Sequence, residues 1–432
     1  MPANDRNDAG LLLPEGARLL HIGLMKTGTT SLQNAASALR PELLSQGVRY
    51  PGEGLNHRTA LLSLMGRGWG WGTSPSPEAW ARLQAEIQAE SSRRLWLGHE
   101  LLSEADGDQV RRFREVLGGN THVVVTLRSY GSILPSAWQQ MMKGGRVQTF
   151  DAWLRAILAD SPKQPRARLE AGRLDQGAVV SRWAEVFGPQ NVTVVVVDKS
   201  TPTLLFDAFE SMLGLESGLL STAEIDGAAA NRGMSAEEAE LLRTLNATLR
   251  QELSWSEYLT WVRASVASTM LGGRGIGSHD TAIVLPAWAA EIAETRAAKH
   301  VGRIRESGVR VVGDLDLLQA PVKTCDTTPP SPTSIPLDAA AQAVLGAIAQ
   351  GRAEAERAEY YRERLGAWGE SGRTYGPRLG KASGRELAGA LARRVRDRLT
   401  GRLAAPGPDE GGDLAATDAQ APSSNRGSVD SA

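Results

Sequence analysis

Residues 19–32 read LLHIGLMKTGTTSL, and this short stretch carries three features in order. An apolar run ends in a turn that contains Gly23, Lys26 and Gly28, and a helical pattern follows from Ser31. A glycine-bearing turn between a buried strand and a helix lets backbone N–H groups converge on a phosphate, while the helix N-terminus adds partial positive charge. The stretch therefore predicts a phosphate-binding loop, to which Lys26 adds a full charge.

Further apolar runs alternate with helical patterns along the chain. They are RRLWLGHE at 93–100, HVVVTLR at 122–128, NVTVVVVDKS at 191–200 and, as a last strand or extended segment, VRVVGDLDLL at 309–318. Uninterrupted runs of Val, Leu and Ile of this length are typical of strands that are buried on both faces. Strands that alternate with helices predict an α/β fold, with a parallel β-sheet flanked by helices.

Composition divides the chain into five predicted segments. These are a flexible N-terminus (1–16), a main domain (17–320), a Pro- and Thr-rich linker (321–336), a helical extension (337–400) and a disordered tail (401–432). Within the main domain, Ser235 and Glu238 predict a capping box at the start of a helix. In the extension, residues 337–368 predict one long helix.

The charge balance and the cysteine content exclude several classes of protein. With 48 basic and 49 acidic side chains the formal net charge is −1, so no global field attracts nucleic acid or an anionic membrane. Cys325 is the single cysteine of the sequence, which excludes an intramolecular disulfide and a cysteine-built zinc site. The N-terminus lacks the pattern of a secretory signal, and no apolar run reaches the ~20 residues that span a bilayer. We therefore expect a cytoplasmic protein without a nucleic-acid partner.

The phosphate loop differs from the nucleoside-triphosphate loop G-x-x-x-x-G-K-[ST] in the position of its lysine. Gly23 and Gly28 stand at the right interval, but Thr29 occupies the place of the lysine, and Lys26 stands three positions earlier. A lysine before the second glycine would reach the bridging oxygen and the leaving sulfuryl of a 5′-phosphosulfate, whereas a kinase needs it on β and γ phosphates. In this respect KTGTTS at 26–31 resembles the loop of sulfotransferases that use 3′-phosphoadenosine-5′-phosphosulfate (PAPS).

The resemblance implies a P-loop-like sulfotransferase domain over 17–320 and a set of residues that bind PAPS, with no metal ion. The 5′-phosphosulfate would be held by Lys26, Thr27, Gly28, Thr29, Thr30 and Ser31. For the 3′-phosphate, the family has an arginine at the end of a later strand and a serine eight residues on, which Arg128 and Ser136 match. By analogy with the arginine-bearing loop that closes over PAPS in the family, Arg232 would also touch the 3′-phosphate.

Sulfuryl transfer needs positive charge on the leaving oxygen and a base for the acceptor proton. The resemblance assigns the charge to Lys26 and offers several bases. His99 and Glu100, at the end of RRLWLGHE, resemble a family histidine and a family acid. Another branch of the family has a glutamate after the second strand, where Glu53 and His57 stand here. A histidine needs less tuning than a glutamate to accept a proton near neutrality, and the four candidates stay open.

The acceptor and two competing functions also stay open. The acceptor hydroxyl or amine would belong to a carbohydrate, a glycolipid or a secondary metabolite, and Trp69, Trp71 and Trp138 could line its pocket. A P-loop phosphotransferase would need a lysine at position 29 and a metal-holding carboxylate nearby. A non-catalytic PAPS-binding module is the second alternative. The C-terminal helix and RELAGALARRVRDRLTGRL at 385–403 could contact a partner protein or an anionic surface.

Overall fold

The computed structural model describes residues 10–198, 200–223, 232–327 and 330–369. Its main sheet consists of β1 (Arg18–Gly23), β2 (Val48–Arg49), β3 (Arg94–Gly98), β4 (Thr121–Leu127), β5 (Val192–Val196) and β7 (Arg310–Val312). These six strands are all parallel and lie in the order β2-β3-β1-β4-β5-β7. The predicted α/β fold with a parallel sheet is therefore confirmed. A second sheet pairs β6 (Leu285–Pro286) with β8 (Thr324–Cys325), again in parallel.

Helices connect the strands and cover the main sheet. The α-helices are α1 (Thr29–Ala38), α2 (Arg40–Ser45), α3 (Arg58–Leu64), α4 (Pro77–Ala89), α5 (Gly107–Leu117), α6 (Tyr130–Met142), α7 (Phe150–Leu158), α8 (Pro165–Leu174), α9 (Gln176–Phe187), α10 (Leu204–Leu213), α11 (Ala236–Glu252), α12 (Trp255–Tyr258), α13 (Ser268–Gly272), α14 (Ala287–Glu306) and α15 (Leu337–Gly369). A π-helical segment, Leu259–Ala267, separates α12 from α13. Within the described part of the chain, we find no helix with the length and apolar character needed to cross a membrane.

Side chains of the central strands alternate between two helical layers. On β1, Leu20 and Ile22 pack into a core that includes residues of α3, α4, α5 and α9. Leu19, which points to the opposite face, packs with residues of α1, α2 and α10. On β4, Val123 and Val124 separate in the same way. This period of two, with apolar residues on both faces, explains why the strands appear in the sequence as uninterrupted apolar runs.

A third apolar cluster lies among helices that follow β4. It includes buried residues of α6, α7, α11, α12 and α14, among them Trp153 and Tyr258. The predicted capping box is confirmed, because the Ser235 side chain accepts from the backbone of Glu238 and the Glu238 side chain accepts from the backbone of Ser235. The cluster places α6, α11 and the π-helical segment beside the carboxyl edge of the main sheet.

The C-terminal part of the described chain agrees only partly with the predicted segments. The long helix over 337–368 is present as α15, and the chain divides into two compact units between Ile348 and Ala349, inside this helix. The predicted linker at 321–336 contains β8, which is ordered by its pairing with β6. The predicted boundaries of the five segments stay predictions. Residues 1–9 and 370–432, with the predicted tail and the basic stretch at 385–403, lie outside the described residues.

Candidate functional site

Three polar segments meet at the carboxyl edge of the main sheet. The loop 24–28 follows β1, His99 and Glu100 follow β3, and Arg128 follows β4. Because β1 lies between β3 and β4, these segments come from three neighbouring parallel strands. A cavity of about 660 Å³ opens between them and lies within the first unit of the chain. Its volume falls in the ordinary range of binding sites for small molecules.

The loop after β1 has the backbone of an anion-binding turn. Lys26 adopts a φ of 65°, which is rare for a residue with a side chain, and Gly28 follows with a φ of 85° at the N-cap of α1. A Cβ atom on Gly23 would lie 2.0 Å from the hydroxyl oxygen of Thr29, so glycine leaves the room that this hydroxyl occupies. Thr29 Oγ1 is buried and has no hydrogen-bond partner among the described residues. An anion in the cavity would supply one.

The predicted loop residues divide into two groups. Lys26, Gly28, Thr29, Thr30 and Ser31 line the cavity. Thr27 does not, because its hydroxyl donates to the Leu24 carbonyl at 2.6 Å and lies 2.7 Å from the hydroxyl of Thr126 on β4. The Thr27 side chain therefore fastens the loop to the neighbouring strand, and its backbone N–H is the group left for an anion.

Arg128 reaches the loop from the end of β4. Its Nη1 donates to the Lys26 carbonyl at 3.2 Å, and its Nε donates to the hydroxyl of Ser132 at 3.2 Å. Burial lowers the pKa of the Arg128 guanidinium, a cost that a bound anion would offset. The predicted partner Ser136 instead donates to the Ser132 carbonyl at 3.3 Å and does not line the cavity. The sequence reasoning missed Ser132, which lies one helical turn closer to Arg128.

Arg232 does not lie in the wall of the cavity. Its two terminal nitrogens donate to the buried carboxylate of Glu238 at 2.6 and 2.8 Å, and its Nε donates to the carbonyls of Leu271 and Arg274. Glu238 is fully buried and also pairs with Arg274. Withdrawing Arg232 would leave part of this buried charge uncompensated, which is costly. In this structure Arg232 therefore stabilises the start of α11.

His99 and Glu100 lie side by side in the cavity wall. His99 Nδ1 accepts a hydrogen bond from the backbone N–H of Leu101 at 3.2 Å, which places the ring proton on Nε2. That Nε2 lies 3.4 Å from Glu100 Oε2. Burial lowers the pKa of His99, more than the nearby Glu100 carboxylate raises it, so the ring is neutral at neutral pH and has no free lone pair. Glu100 Oε2 is buried and accepts no hydrogen bond from the described residues.

The other two base candidates lie away from the cavity. His57 is 5% exposed, its Nε2 donates to the Pro51 carbonyl at 2.9 Å, and its Nδ1 accepts from the Gly98 backbone N–H at 3.4 Å. Burial lowers the pKa of His57 to about 4, and both ring nitrogens are engaged. Glu53 is exposed on the turn before α3. The structure therefore brings His99 and Glu100 together with the loop in the cavity wall. His57 and Glu53 lie outside the cavity wall.

The cavity wall carries a large excess of positive charge. Among the described residues that line it, nine are Lys or Arg and three are Glu, although the whole chain has a net charge of −1. Glu104 pairs with Arg67 and Arg173, and Glu170 pairs with Arg146 and Arg166. The cations that line the cavity outside these pairs are Lys26, Arg58, Arg128, Arg250 and Arg263. Such a field favours an anionic ligand.

Tryptophans form part of the cavity wall. Trp69 and Trp71 line the cavity as expected, and each packs edge-on against Trp255, with ring centroids 4.9 and 4.6 Å apart. Gly70, between them, has a φ of 98°, and a Cβ there would lie 2.2 Å from the Trp255 ring. Trp138 is instead buried and donates to the Gln148 carbonyl, so it belongs to the core. The sequence reasoning missed Trp255, Arg58 and Arg263, which no local motif marks.

Comparisons with known proteins add little to this geometry. No protein-family model matches the chain, and no curated protein matches it significantly. A solved structure, that of the sulfotransferase from Alicyclobacillus acidocaldarius, is similar at 16% sequence identity and a TM-score of 0.35. The match covers 57% of this chain and 99% of that chain. A similarity with a TM-score this low supports no conclusion about the fold or the function.

Proposed function

We propose that the chain is a group transferase whose donor is an adenosine nucleotide with an anionic group at each end. The observation that carries this proposal is the position of Lys26 and Arg128 in one cavity, with the Arg128 guanidinium bonded to the Lys26 carbonyl. The lysine stands before the second glycine of the loop, which suits a phosphosulfate rather than a triphosphate. The donor is therefore PAPS, and the protein is a PAPS-dependent sulfotransferase.

The residues present suit this donor. Gly23 leaves room for the buried, unpartnered hydroxyl of Thr29, which gives the 5′-phosphate a donor at the N-terminus of α1. Arg128, held by Ser132, presents its guanidinium to the 3′-phosphate. The left-handed backbone conformation of Lys26 is strained, and proteins retain such strain mainly at binding and active sites.

PAPS supplies the sulfuryl group, and the side chains of this chain position and assist its transfer. Lys26 neutralises charge on the bridging oxygen as the bond from that oxygen to sulfur breaks. Glu100 accepts the proton of the acceptor hydroxyl or amine as the new bond to sulfur forms. His99, neutral and fixed by the Leu101 N–H, keeps its Nε2–H beside the Glu100 carboxylate. The products are the sulfated acceptor and adenosine 3′,5′-bisphosphate.

Transfer of radiolabelled sulfate from PAPS tests the proposal most broadly. The purified protein is incubated with [³⁵S]PAPS and an extract of small molecules and glycans, and labelled products are separated. We expect new labelled species that depend on the protein. Tight binding of PAPS without any labelled product would favour the non-catalytic module, and protein-dependent transfer of phosphate from ATP would favour the phosphotransferase.

Replacing Arg128 with alanine is expected to weaken donor binding and to leave turnover nearly unchanged. A charge-assisted bond to phosphate contributes about 1.5–3 kcal/mol, so the KM for PAPS should rise about tenfold or more. Steady-state kinetics at varied PAPS concentration measures both constants. Arg111→Ala, which removes an exposed arginine paired with Asp108 on α5, is the matched control. An unchanged KM in Arg128→Ala would contradict the assignment of the 3′-phosphate site.

Binding of the donor product is expected to take up a proton through Lys143. Burial, with repulsion from Lys26, Arg263 and Arg232, lowers the pKa of Lys143 to about 7. At pH 8 this amine is therefore mostly neutral in the free protein, and a bisphosphate beside Lys26 would raise its pKa back toward 10.5. Calorimetric titration with adenosine 3′,5′-bisphosphate in two buffers of different ionisation enthalpy measures the uptake. The Lys143→Met variant should take up fewer protons on binding than the unmodified protein. Equal proton uptake by the two proteins would contradict this role of Lys143.

A further inference from the structure

Two arginines of the cavity face one tryptophan and form no ion pair with any acidic side chain that the structure describes. The guanidinium carbon of Arg58 lies 3.5 Å from the centroid of the Trp69 ring, and that of Arg263 lies 5.4 Å from it. The two guanidinium carbons are therefore within about 9 Å of each other. Among the described residues, neither side chain forms an ion pair, and the buried Nε of Arg58 has no hydrogen-bond partner.

This arrangement is unfavourable without a ligand. Burial, followed by repulsion from Arg263, lowers the pKa of Arg58, and burial lowers that of Arg263. Contact with the face of an indole ring offsets only part of the free-energy cost of burying these charges. Arg263 comes from the π-helical segment Leu259–Ala267, and such segments occur often at functional sites. An oxyanion between the two guanidinium groups would satisfy both at once.

The donor does not account for this pair. In the proposed function PAPS is held by the loop after β1 and by Arg128, which follow two strands of the main sheet. Arg58 begins α3 and Arg263 lies beyond α12, beside the tryptophan wall formed by Trp69, Trp71 and Trp255. Glu100 raises the pKa of both arginines and Arg263 lowers that of Lys26, so the pair lies near both the proposed base and the lysine beside the sulfuryl group. This is where the acceptor has to lie.

We propose that the acceptor is a ring compound that carries a carboxylate or another oxyanion, bound by Arg58 and Arg263, with its apolar face against the tryptophan wall. The assignment rests on the proposed function, because it names the acceptor class of the same site. The oxyanion anchors the acceptor, and a separate hydroxyl or amine of the same molecule faces Glu100 and receives the sulfuryl group. Neutral analogues of the same size bind less well.

A matched pair of sugars tests this acceptor class by binding alone. p-Nitrophenyl β-D-glucuronide and p-nitrophenyl β-D-glucoside share their rings. The glucuronide carries a carboxylate where the glucoside carries a hydroxymethyl group. Each is titrated calorimetrically into the full-length protein saturated with adenosine 3′,5′-bisphosphate, whose own binding is measured first. We expect the glucuronide to bind at least about tenfold more tightly, since bonds between charged groups exceed neutral ones. The double variant Arg58→Gln/Arg263→Gln should lose this preference and keep its affinity for the bisphosphate.

Two further variants make the outcome decisive. Arg155→Gln removes a guanidinium that lies 4.7 Å from the Trp288 ring, outside the cavity, and should keep the preference. Lys26→Ala should also keep it. This variant tests whether the carboxylate binds Lys26 instead, since the bisphosphate leaves the place of the sulfuryl group open beside that lysine. Three results would each overturn the proposal. The first is equal affinity for the two sugars, and the second is no binding of either sugar at the solubility limit. The third is a preference that is lost in Lys26→Ala but kept in the double variant. Failure of the bisphosphate to bind would instead contradict the proposed function.

Discussion

Replacing Lys26 with alanine is expected to lower the rate of sulfuryl transfer by at least about 100-fold, with a much smaller effect on the affinity for PAPS. In the proposed mechanism, the side chain neutralises charge that develops on the bridging oxygen only as the transfer proceeds. Removing one such preorganised group typically costs about 10²–10³ in kcat. Single-turnover measurements with saturating donor report the transfer step, and calorimetry with adenosine 3′,5′-bisphosphate reports the affinity.

The matched control for this variant is Lys299→Ala. Lys299 is an exposed lysine on α14, so its loss should change neither the rate nor the affinity. Loss of donor binding in Lys26→Ala without a change in the single-turnover rate would show that the lysine only attracts the nucleotide. The assignment of Lys26 to the leaving oxygen would then be wrong.

Replacing Glu100 with glutamine is expected to lower kcat by about 10²–10⁴, the usual contribution of a general base. The amide keeps the shape of the side chain beside His99 Nε2 but cannot accept the acceptor proton at neutral pH. Donor affinity should stay the same, because Glu100 carries no bond to the loop or to Arg128. Steady-state kinetics at saturating PAPS measures kcat, and calorimetry measures the donor affinity.

Two comparison variants separate Glu100 from its neighbours. Glu306→Gln, at the exposed end of α14, should leave kcat unchanged. His99→Gln should lower kcat less than Glu100→Gln, because the His99 ring has no lone pair to spare while Leu101 N–H donates to its Nδ1. The opposite order, with a near-normal kcat in Glu100→Gln and a large loss in His99→Gln, would make His99 the base.

The sheet and the glycine-bearing turn after β1 were predictable because their signals are local. β1, β3, β4 and β5 are continuous apolar runs, and strands that are buried on both faces require such runs. By contrast, β2 contains two residues, Val48 and Arg49, and its place at the sheet edge has no sequence pattern. The pairing of β8 with β6 was also missed, since the prolines around Thr324 and Cys325 favour a linker.

The roles of several site residues depend on partners that sequence spacing does not reveal. The hydroxyl of Thr27 is bonded to Leu24 and Thr126, and that second partner comes from β4. The serine beside Arg128 is Ser132 rather than Ser136, because Ser132 lies one helical turn closer to Arg128 on α6. Arg232 bonds Glu238, the same acid whose capping box was predicted correctly. A carboxylate that caps a helix can also capture an arginine before that helix.

The residues of the proposed acceptor site were beyond sequence reasoning for a different reason. Arg58 and Arg263 belong to elements far apart in the chain, and the parallel sheet with its helical cluster brings them to one cavity. Neither lies in a motif, and arginines at such positions are usually solvated. Their contact with Trp69 is visible only in three dimensions.

The central claim is that the cavity holds both ends of one adenosine donor, and nucleotide affinities test it most directly. Calorimetry compares adenosine 3′,5′-bisphosphate with adenosine 5′-monophosphate and with ATP in the presence of Mg²⁺. We expect the bisphosphate to bind at least about tenfold more tightly than either, because it alone places a phosphate near Lys26 and another near Arg128. Equal affinity for the mono- and bisphosphate, or tighter binding of ATP with Mg²⁺, would contradict the account.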